Sequence, residues 1–282
     1  MNVAKYISIC ADDFGITEKV DRAIIELILN KRVSETSCMV LTQNFKNSSK
    51  ELKKIPINFG KGIHITFTDF NSLTSPKSIT KNGKFLSIKS LFLKILKKKI
   101  SKYEIYNEIN SQLDYFEQTM ECKPDFIDGH HHVHQLPIIS DVILEVLKKR
   151  YKNNFPWIRN THEKKIKILE RNISLFKTFL LSYYGNRLKK MAIKNNFKTN
   201  NGFSGIYNFS KTTNYYELFK KFLISINSNH LLMVHPGETD ENLEKIDTVT
   251  YTRNLEKNFL NSSEFLDLLN EKSIILKPFH LI

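Results

Sequence analysis

Five stretches of the 282-residue chain carry residue types that could act together on a substrate. They are the acid pair in AlaAspAspPheGly (11–15), His64 in GlyIleHisIleThr, the block AspGlyHisHisHisValHis (128–134), Arg159, and His235 in ValHisProGlyGlu (234–238). A hard divalent cation, or zinc, is held by carboxylate oxygen and neutral imidazole nitrogen. Asp12 or Asp13, with His64 and His130, offers one carboxylate and two imidazoles, leaving positions open for water and substrate. The acid that does not ligate is free to take a proton from water. His235 is the natural general acid for a leaving group. Polarisation of a carbonyl by the cation would stabilise the oxyanion of a tetrahedral intermediate.

Each of these residues also has a plainer use. An acid pair caps helices, HisPro at 235–236 makes turns, and Arg159 can serve in a surface ion pair. Four histidines within residues 130–134 do not suit an inert loop. Of these, His130 is expected at the cation, His131 and His132 behind the ligands or facing substrate, and His134 in a structural role. Residue types and spacing alone therefore point to a metal-dependent hydrolase with an Asp/His site, without separating an amide from an ester or a phosphate.

Such residues need a scaffold that brings distant segments together. Apolar runs at 6–11, 36–41, 59–67, 125–128, 157–159, 230–234 and 273–276 read as seven strands. Helical patterns intervene at 17–30, with Thr17 as N-cap, and at 101–121, 139–148, 215–226 and 262–269. Alternation of this kind implies an α/β fold with a parallel sheet, and the length suits closure into a seven-stranded (β/α) barrel. A doubly wound open sheet is the alternative, but no GxGxxG follows the first strand, so a dinucleotide site is not expected. The acid pair, His64, the histidine block, Arg159 and His235 all fall at or near strand C-terminal ends, where such folds place their chemistry.

Hydrophobic residues make up 41% and charged residues 26% of the chain, ordinary for a globular protein. No linker or repeat divides it, so one domain over 1–282 is expected, soluble and cytoplasmic, with a homodimer the expected assembly. The three cysteines, Cys10, Cys38 and Cys122, form neither a disulfide framework nor a thiolate metal site. A formal net charge of +14 raises the question of nucleic acid, but no zinc-finger, RNP-type or helix-turn-helix pattern accompanies it, and nucleic acid is not an expected partner. The positive charge concentrates at 84–102 and 163–198. The second stretch is amphipathic: it suits peripheral contact with an anionic membrane, or a helix packed on the body with a solvated basic rim, and the packed helix is the preferred reading.

The blocks AlaAspAspPheGly (11–15), GlyIleHisIleThrPheThr (62–68), LysProAspPheIleAspGlyHisHisHisValHis (123–134) and HisProGly (235–237) resemble the signatures of the YdjC-type carbohydrate deacetylases, the ChbG/HpnK-like group. ArgAsnLeuGlu (253–256) is similar to that family's closing Arg-x-x-Glu segment. The resemblance implies a polysaccharide-deacetylase (NodB-like) barrel variant that removes the N-acetyl group from an amino sugar, on an oligosaccharide or a lipid-linked glycan, releasing acetate. It implies Asp12 as general base, Asp13, His64 and His130 as metal ligands, His235 as acid, and magnesium as the cation, with zinc or another divalent ion also suited to the ligand set. Arg159 is expected to orient an acid or hold a sugar hydroxyl, with His131 and His132 beside the substrate. Residues 160–215 are expected as a basic helical insertion that helps set the glycan, and Glu238 is an extra acid without an assigned role. The alternatives are a metallo-phosphoesterase or another amidohydrolase on a similar barrel, or a non-catalytic glycan-binding protein.

Overall fold

The computed structural model describes residues 4–281. Its strands are β1 (Lys5–Phe14), β2 (Glu35–Cys38), β3 (Gly60–Ile65), β4 (Thr80–Lys81), β5 (Lys84–Phe85), β6 (Phe126–Gly129), β7 (Trp157–Ile158), β8 (Gly202–Ser204), β9 (His230–Val234) and β10 (Ile274–Leu276). Its helices are α1 (Glu18–Leu29), α2 (Phe45–Lys53), α3 (Ile88–Leu96), α4 (Lys102–Met120), α5 (Ile139–Tyr151), α6 (Lys165–Arg171), α7 (Leu175–Lys194), α8 (Tyr215–Phe222), α9 (Glu241–Ile246), α10 (Tyr251–Asn261) and α11 (Ser263–Glu271).

Local chemistry accounts for the first unit. Ile7–Phe14 are all buried, as a parallel strand covered on both faces requires. Thr17 then accepts a hydrogen bond from the Val20 N–H, with Glu18 and Asp21 in the first turn of α1, so the chain stops being strand and begins a helix. Val20, Ala23, Ile24, Leu27 and Ile28 bury one face of that helix against the sheet.

Seven strands pair in the order β7-β6-β3-β2-β1-β9-β8, all parallel, and β10 pairs with the start of β1. The sheet curls but does not close, which corrects the expected closed barrel. Between its outer strands there is one isolated bridge among the described residues, Ile158 to Thr199. The physical reason is local: β7 is two residues long, and β8 begins only at Gly202, beyond the bridge. Side-chain amides take over there. Asn160 N–H donates to Asn200 Oδ1 (2.8 Å), and Asn200 Nδ2 donates to the Asn160 carbonyl (2.9 Å). The seven-strand reading also omitted β8, which lies inside the stretch read as helical. GlyPheSer is too short, and too closely flanked by Asn and Gly, to show an apolar run.

Strand periodicity sorts the core into two sides. Ile7, Ile9, Ala11, Ile63, Ile127, Leu232 and Val234 join the large cluster beneath the helices. Cys10, Phe126, Trp157, Phe203, Leu231 and Met233 join a separate cluster with Phe279. Near the strand starts this second cluster is aromatic: Phe126 stacks on Trp157 at 4.7 Å, and Trp157 lies 4.5 Å from Phe279. Two residues further along the same strands, the same face carries Asp12, Asp128 and Arg159.

Two predictions follow from this layer. Gly62 lies opposite Phe126, and a Cβ there would stand 2.3 Å from the Phe126 ring, which Trp157 backs. Gly62→Ala is expected to cost about 1–3 kcal/mol by overpacking and to lower the Tm measured by circular dichroism; an unchanged Tm would show that the ring yields. Glu35 is fully buried and accepts the Phe279 N–H (2.6 Å). Burial pushes its carboxyl up to about 8, from an ordinary 4.5. The folded chain therefore holds a proton that the unfolded chain releases, so this group's contribution to stability is complete below pH 4.5 and is lost as pH rises toward 8. Glu35→Gln should remove that loss, so the Tm of the variant minus that of the parent should climb across this window and level off above it.

Candidate active site

The acid pair sits where β1 breaks its own periodicity. The register of β1 against β2 shifts between Ala11 and Phe14, and Asp13 adopts a left-handed backbone (φ +68°). A bulge of this kind lets successive side chains share a face, and Asp tolerates the conformation. Asp12 and Asp13 accordingly both line one cavity of about 280 Å³, together with His64, His130, His131, His132 and His235.

Their surroundings differ. Asp12 is held from behind by Arg159, whose Nη1 donates to Oδ2 and Nη2 to Oδ1, both at 2.6 Å. Asp13 turns Oδ2 to Arg253 Nη2 (2.6 Å) and leaves Oδ1 buried, with no hydrogen-bond partner among the described residues. That oxygen faces His64 Nε2 and His130 Nδ1, each 3.4 Å away. One ligand atom from each of the three residues lies within 4.8 Å of the other two. Two ligands about 2.1 Å from a shared cation in tetrahedral array stand about 3.4 Å apart. The orphaned oxygen, the two imidazoles and their spacing therefore fit a divalent cation.

Asp128 sets the state of His64. His64 Nδ1 lies 2.8 Å from Asp128 Oδ1, and the Ser37 hydroxyl donates to the same oxygen. With its proton on Nδ1, the ring turns the Nε2 lone pair toward Asp13, the carboxylate–histidine arrangement that supports metal ligands. Burial pulls the His64 imidazole down, but Asp128, helped by Asp13 and Asp12, carries it up to about 10. Burial likewise raises Asp13, yet Arg253, His130 and His64 hold it well below the usual carboxylate range. The surroundings thus favour positive charge on the His64 ring beside the Asp13 carboxylate.

The histidine block divides. His131 and His132 have left-handed backbones (φ +52° and +57°), which turn the chain sharply out of β6. His131 Nδ1 lies 3.0 Å from Thr68 Oγ1 and 3.6 Å from Asp69 Oδ2. His132 lines the cavity against Phe203. His134 is buried and places Nε2 3.0 Å from the Arg159 carbonyl, outside the cavity. His235 lines the opposite side of the cavity, with Phe209 edge-on at 5.2 Å. Burial lowers its imidazole to about 4.

Arg159 lies behind the cavity. It is fully buried, contacts Asp12 and Asp128 (2.7 Å) and is absent from the cavity lining, a placement that suits the first of its two expected roles, orienting an acid, rather than the second. Its guanidinium also binds two of the three members of the Cys10–Asp12–Asp128 group, which is therefore not a cation site. Glu238 pairs with Lys257 at the surface (2.5 Å).

Several supporting residues were not assigned roles from sequence. Asp128 lies on β6, two residues before His130 and within the same block. Arg253, on α10, binds Asp13 and Asp247 through Nη2, both at 2.6 Å. Glu256, one turn on, accepts the His235 backbone N–H (2.6 Å) and the Tyr207 hydroxyl (2.5 Å). No signal in the sequence pairs Tyr207 with this site.

The inner cavity adjoins an open cleft of about 830 Å³; Ile88, His130, His131 and Asp247 line both.

Comparison with known proteins gives the chain a family. A family model described as YdjC-like protein matches residues 6–271. The carbohydrate deacetylase of Clostridium beijerinckii is 28% identical over 277 residues, 95% of this chain and 96% of that one. The carbohydrate deacetylase of Thermoanaerobacter pseudethanolicus is 22% identical over 284 residues, 99% of each chain. The chitooligosaccharide deacetylase of Proteus mirabilis is 29% identical over 148 residues, 52% of this chain and 57% of that protein. A solved structure of a candidate cellobiose-phosphate cleavage protein from Enterococcus faecalis superposes with a TM-score of 0.74 at 22% identity, over 99% of both chains, and shares the fold. The chain belongs to the YdjC-like protein family.

Proposed function

We propose that this protein is a metal-dependent carbohydrate deacetylase that hydrolyses the N-acetyl group of an amino sugar. One observation carries the reading: a buried Asp13 oxygen with no hydrogen-bond partner among the described residues faces two imidazoles beside a second carboxylate, Asp12, in a cavity that adjoins an open cleft. The names of the relatives support the substrate class.

Asp13, His64 and His130 would hold the cation. When bound, a divalent ion polarises an acetamido carbonyl and makes water more acidic; one carboxylate with two imidazoles is a zinc-type donor set, and magnesium rests on the family resemblance. The remaining steps belong to the chain. Asp12, fixed by two bonds from Arg159, keeps lone pairs to accept a proton from the attacking water. Arg253 holds Asp13 still. His235, positioned through its backbone by Glu256, hands a proton to the departing amine nitrogen. Burial keeps the resting ring neutral, so it must first take up a proton from solvent as negative charge grows on the substrate; the proton it passes to the nitrogen is replaced by the one Asp12 takes from water and later releases. Water is consumed, acetate leaves, and the free amino sugar remains. The cleft beyond His131 and Asp69 gives room for further sugar units.

The test is acetate release from N-acetylated sugars, with divalent-cation binding followed separately by calorimetry. Asp12→Asn should lower turnover by about 10²-fold or more while cation binding persists. His130→Ala and His64→Ala should lose both, and a chelator should abolish turnover reversibly. Full activity in Asp12→Asn at saturating cation would falsify the base assignment. Full activity after exhaustive chelation would remove the metal from the mechanism.

A further inference from the structure

The two basic stretches, 84–102 and 163–198, take little part in the chemistry above, yet the fold brings both to the mouth of the same cavity. Helix α3 begins at Ile88, which lines both the inner cavity and the cleft, and α7 contributes Leu180 and Leu181 to the inner cavity. The helices touch through Phe92 and Tyr184, edge to face at 6.1 Å. Beside this contact, large apolar side chains stand in solvent: Phe176 is 85% exposed, Tyr183 69%, Leu96 61% and Leu93 54%. Phe176, Leu180 and Tyr183 recur at i, i+4 and i+7, so they form one stripe along α7, whose middle member reaches the cavity lip. The same elements are basic: residues 84–102 hold seven lysines and no acid, and α7 carries five lysines and arginines and no acid; of these, Lys102 pairs with Glu145 and Arg187 with Asp141.

We propose that this rim docks on an anionic lipid bilayer, with Phe176 and Tyr183 seated at the headgroup boundary and the cavity mouth turned to the membrane. An exposed apolar stripe between basic flanks is the pattern of a helix that lies in a membrane interface. Among the described residues no helix is long and apolar enough to cross a membrane, so the contact is peripheral. Charge selects this occupant over a second copy of the chain: two such rims face to face would set lysines against lysines, whereas an anionic headgroup layer neutralises them. The consequence, which rests on the deacetylase reading, is that the acetamido sugar is presented on a lipid carrier.

The experiment is co-sedimentation of the full chain with phosphatidylcholine vesicles, with and without phosphatidylglycerol. Retention is expected only where phosphatidylglycerol is present, and should fall at high salt. Phe176→Ser with Tyr183→Ser should lower the partition coefficient about tenfold or more, with an unchanged far-ultraviolet spectrum and Tm. Lys97→Glu with Lys98→Glu and Lys99→Glu, all exposed beyond the end of α3, should do the same through charge alone. The proposal is overturned if the parent protein stays in solution with phosphatidylglycerol vesicles, or if it pairs in sedimentation velocity and the Phe176/Tyr183 variant does not. Retention is read without turnover, so its absence leaves the deacetylase reading standing, and absence of acetate release leaves the docking surface standing.

Discussion

Arg159 between Asp12 and Asp128 is the interaction on which the rest of the site depends. All three are buried, and desolvating each ion costs several kcal/mol unless a partner compensates. The guanidinium has the geometry to do so, with two parallel bonds to Asp12 and a third contact to Asp128. Asp128 is thereby fixed as an anion: burial raises its carboxyl, but Arg159 and His64 bring it down to about 2. A fixed anion orients the His64 ring, and the ring then faces Asp13. Removing the guanidinium would leave two buried carboxylates side by side, Asp12 without its two bonds and Asp128 held only by Ser37 and His64.

Arg253 does the same for Asp13 from the other flank, and it comes from α10, late in the chain. One acid is thus tied to the β7 edge of the sheet and its neighbour to a helix beyond β9. The β1 bulge is what makes the division workable, because an unbulged strand would send one carboxylate to the helix-covered face, where Ala11 and Ile9 lie. The two carboxylates of the cavity are thus held by different arginines, Asp12 by Arg159 and Asp13 by Arg253.

How much of this was legible follows from the physics of each part. The strand-end rule located Asp12, Asp13, His64, His130 and His235 because parallel strands gather their C-terminal ends whether or not the sheet closes. The open edge was illegible because it turns on a two-residue strand and on Asn160–Asn200 amide contacts, which have no periodic signature. Arg159 showed its charge but not its burial, since an arginine at a strand end reads the same whether it faces solvent or a carboxylate. The stretch 160–215 showed its basic helices and hid β8, whose three residues are held by pairing with β9 rather than by their own propensity.

The histidines in and beside the site are sorted by environment rather than by sequence. Burial drives His132 well below its ordinary range and His134 to about 4, so both rings stay neutral at pH 7. His64, equally buried but set against Asp128 and Asp13, is the ring that the surroundings make positive. A proton on that ring and a cation beside it answer the same electrostatic demand, and they compete for the same Nε2 lone pair facing Asp13. Neutral rings nearby add no repulsion to an arriving cation, while the two arginines that could repel it have their charge taken up by Asp12, Asp128, Asp13 and Asp247. The cavity therefore has one place where positive charge is wanted, and it is the place where a carboxylate oxygen has been left without a partner.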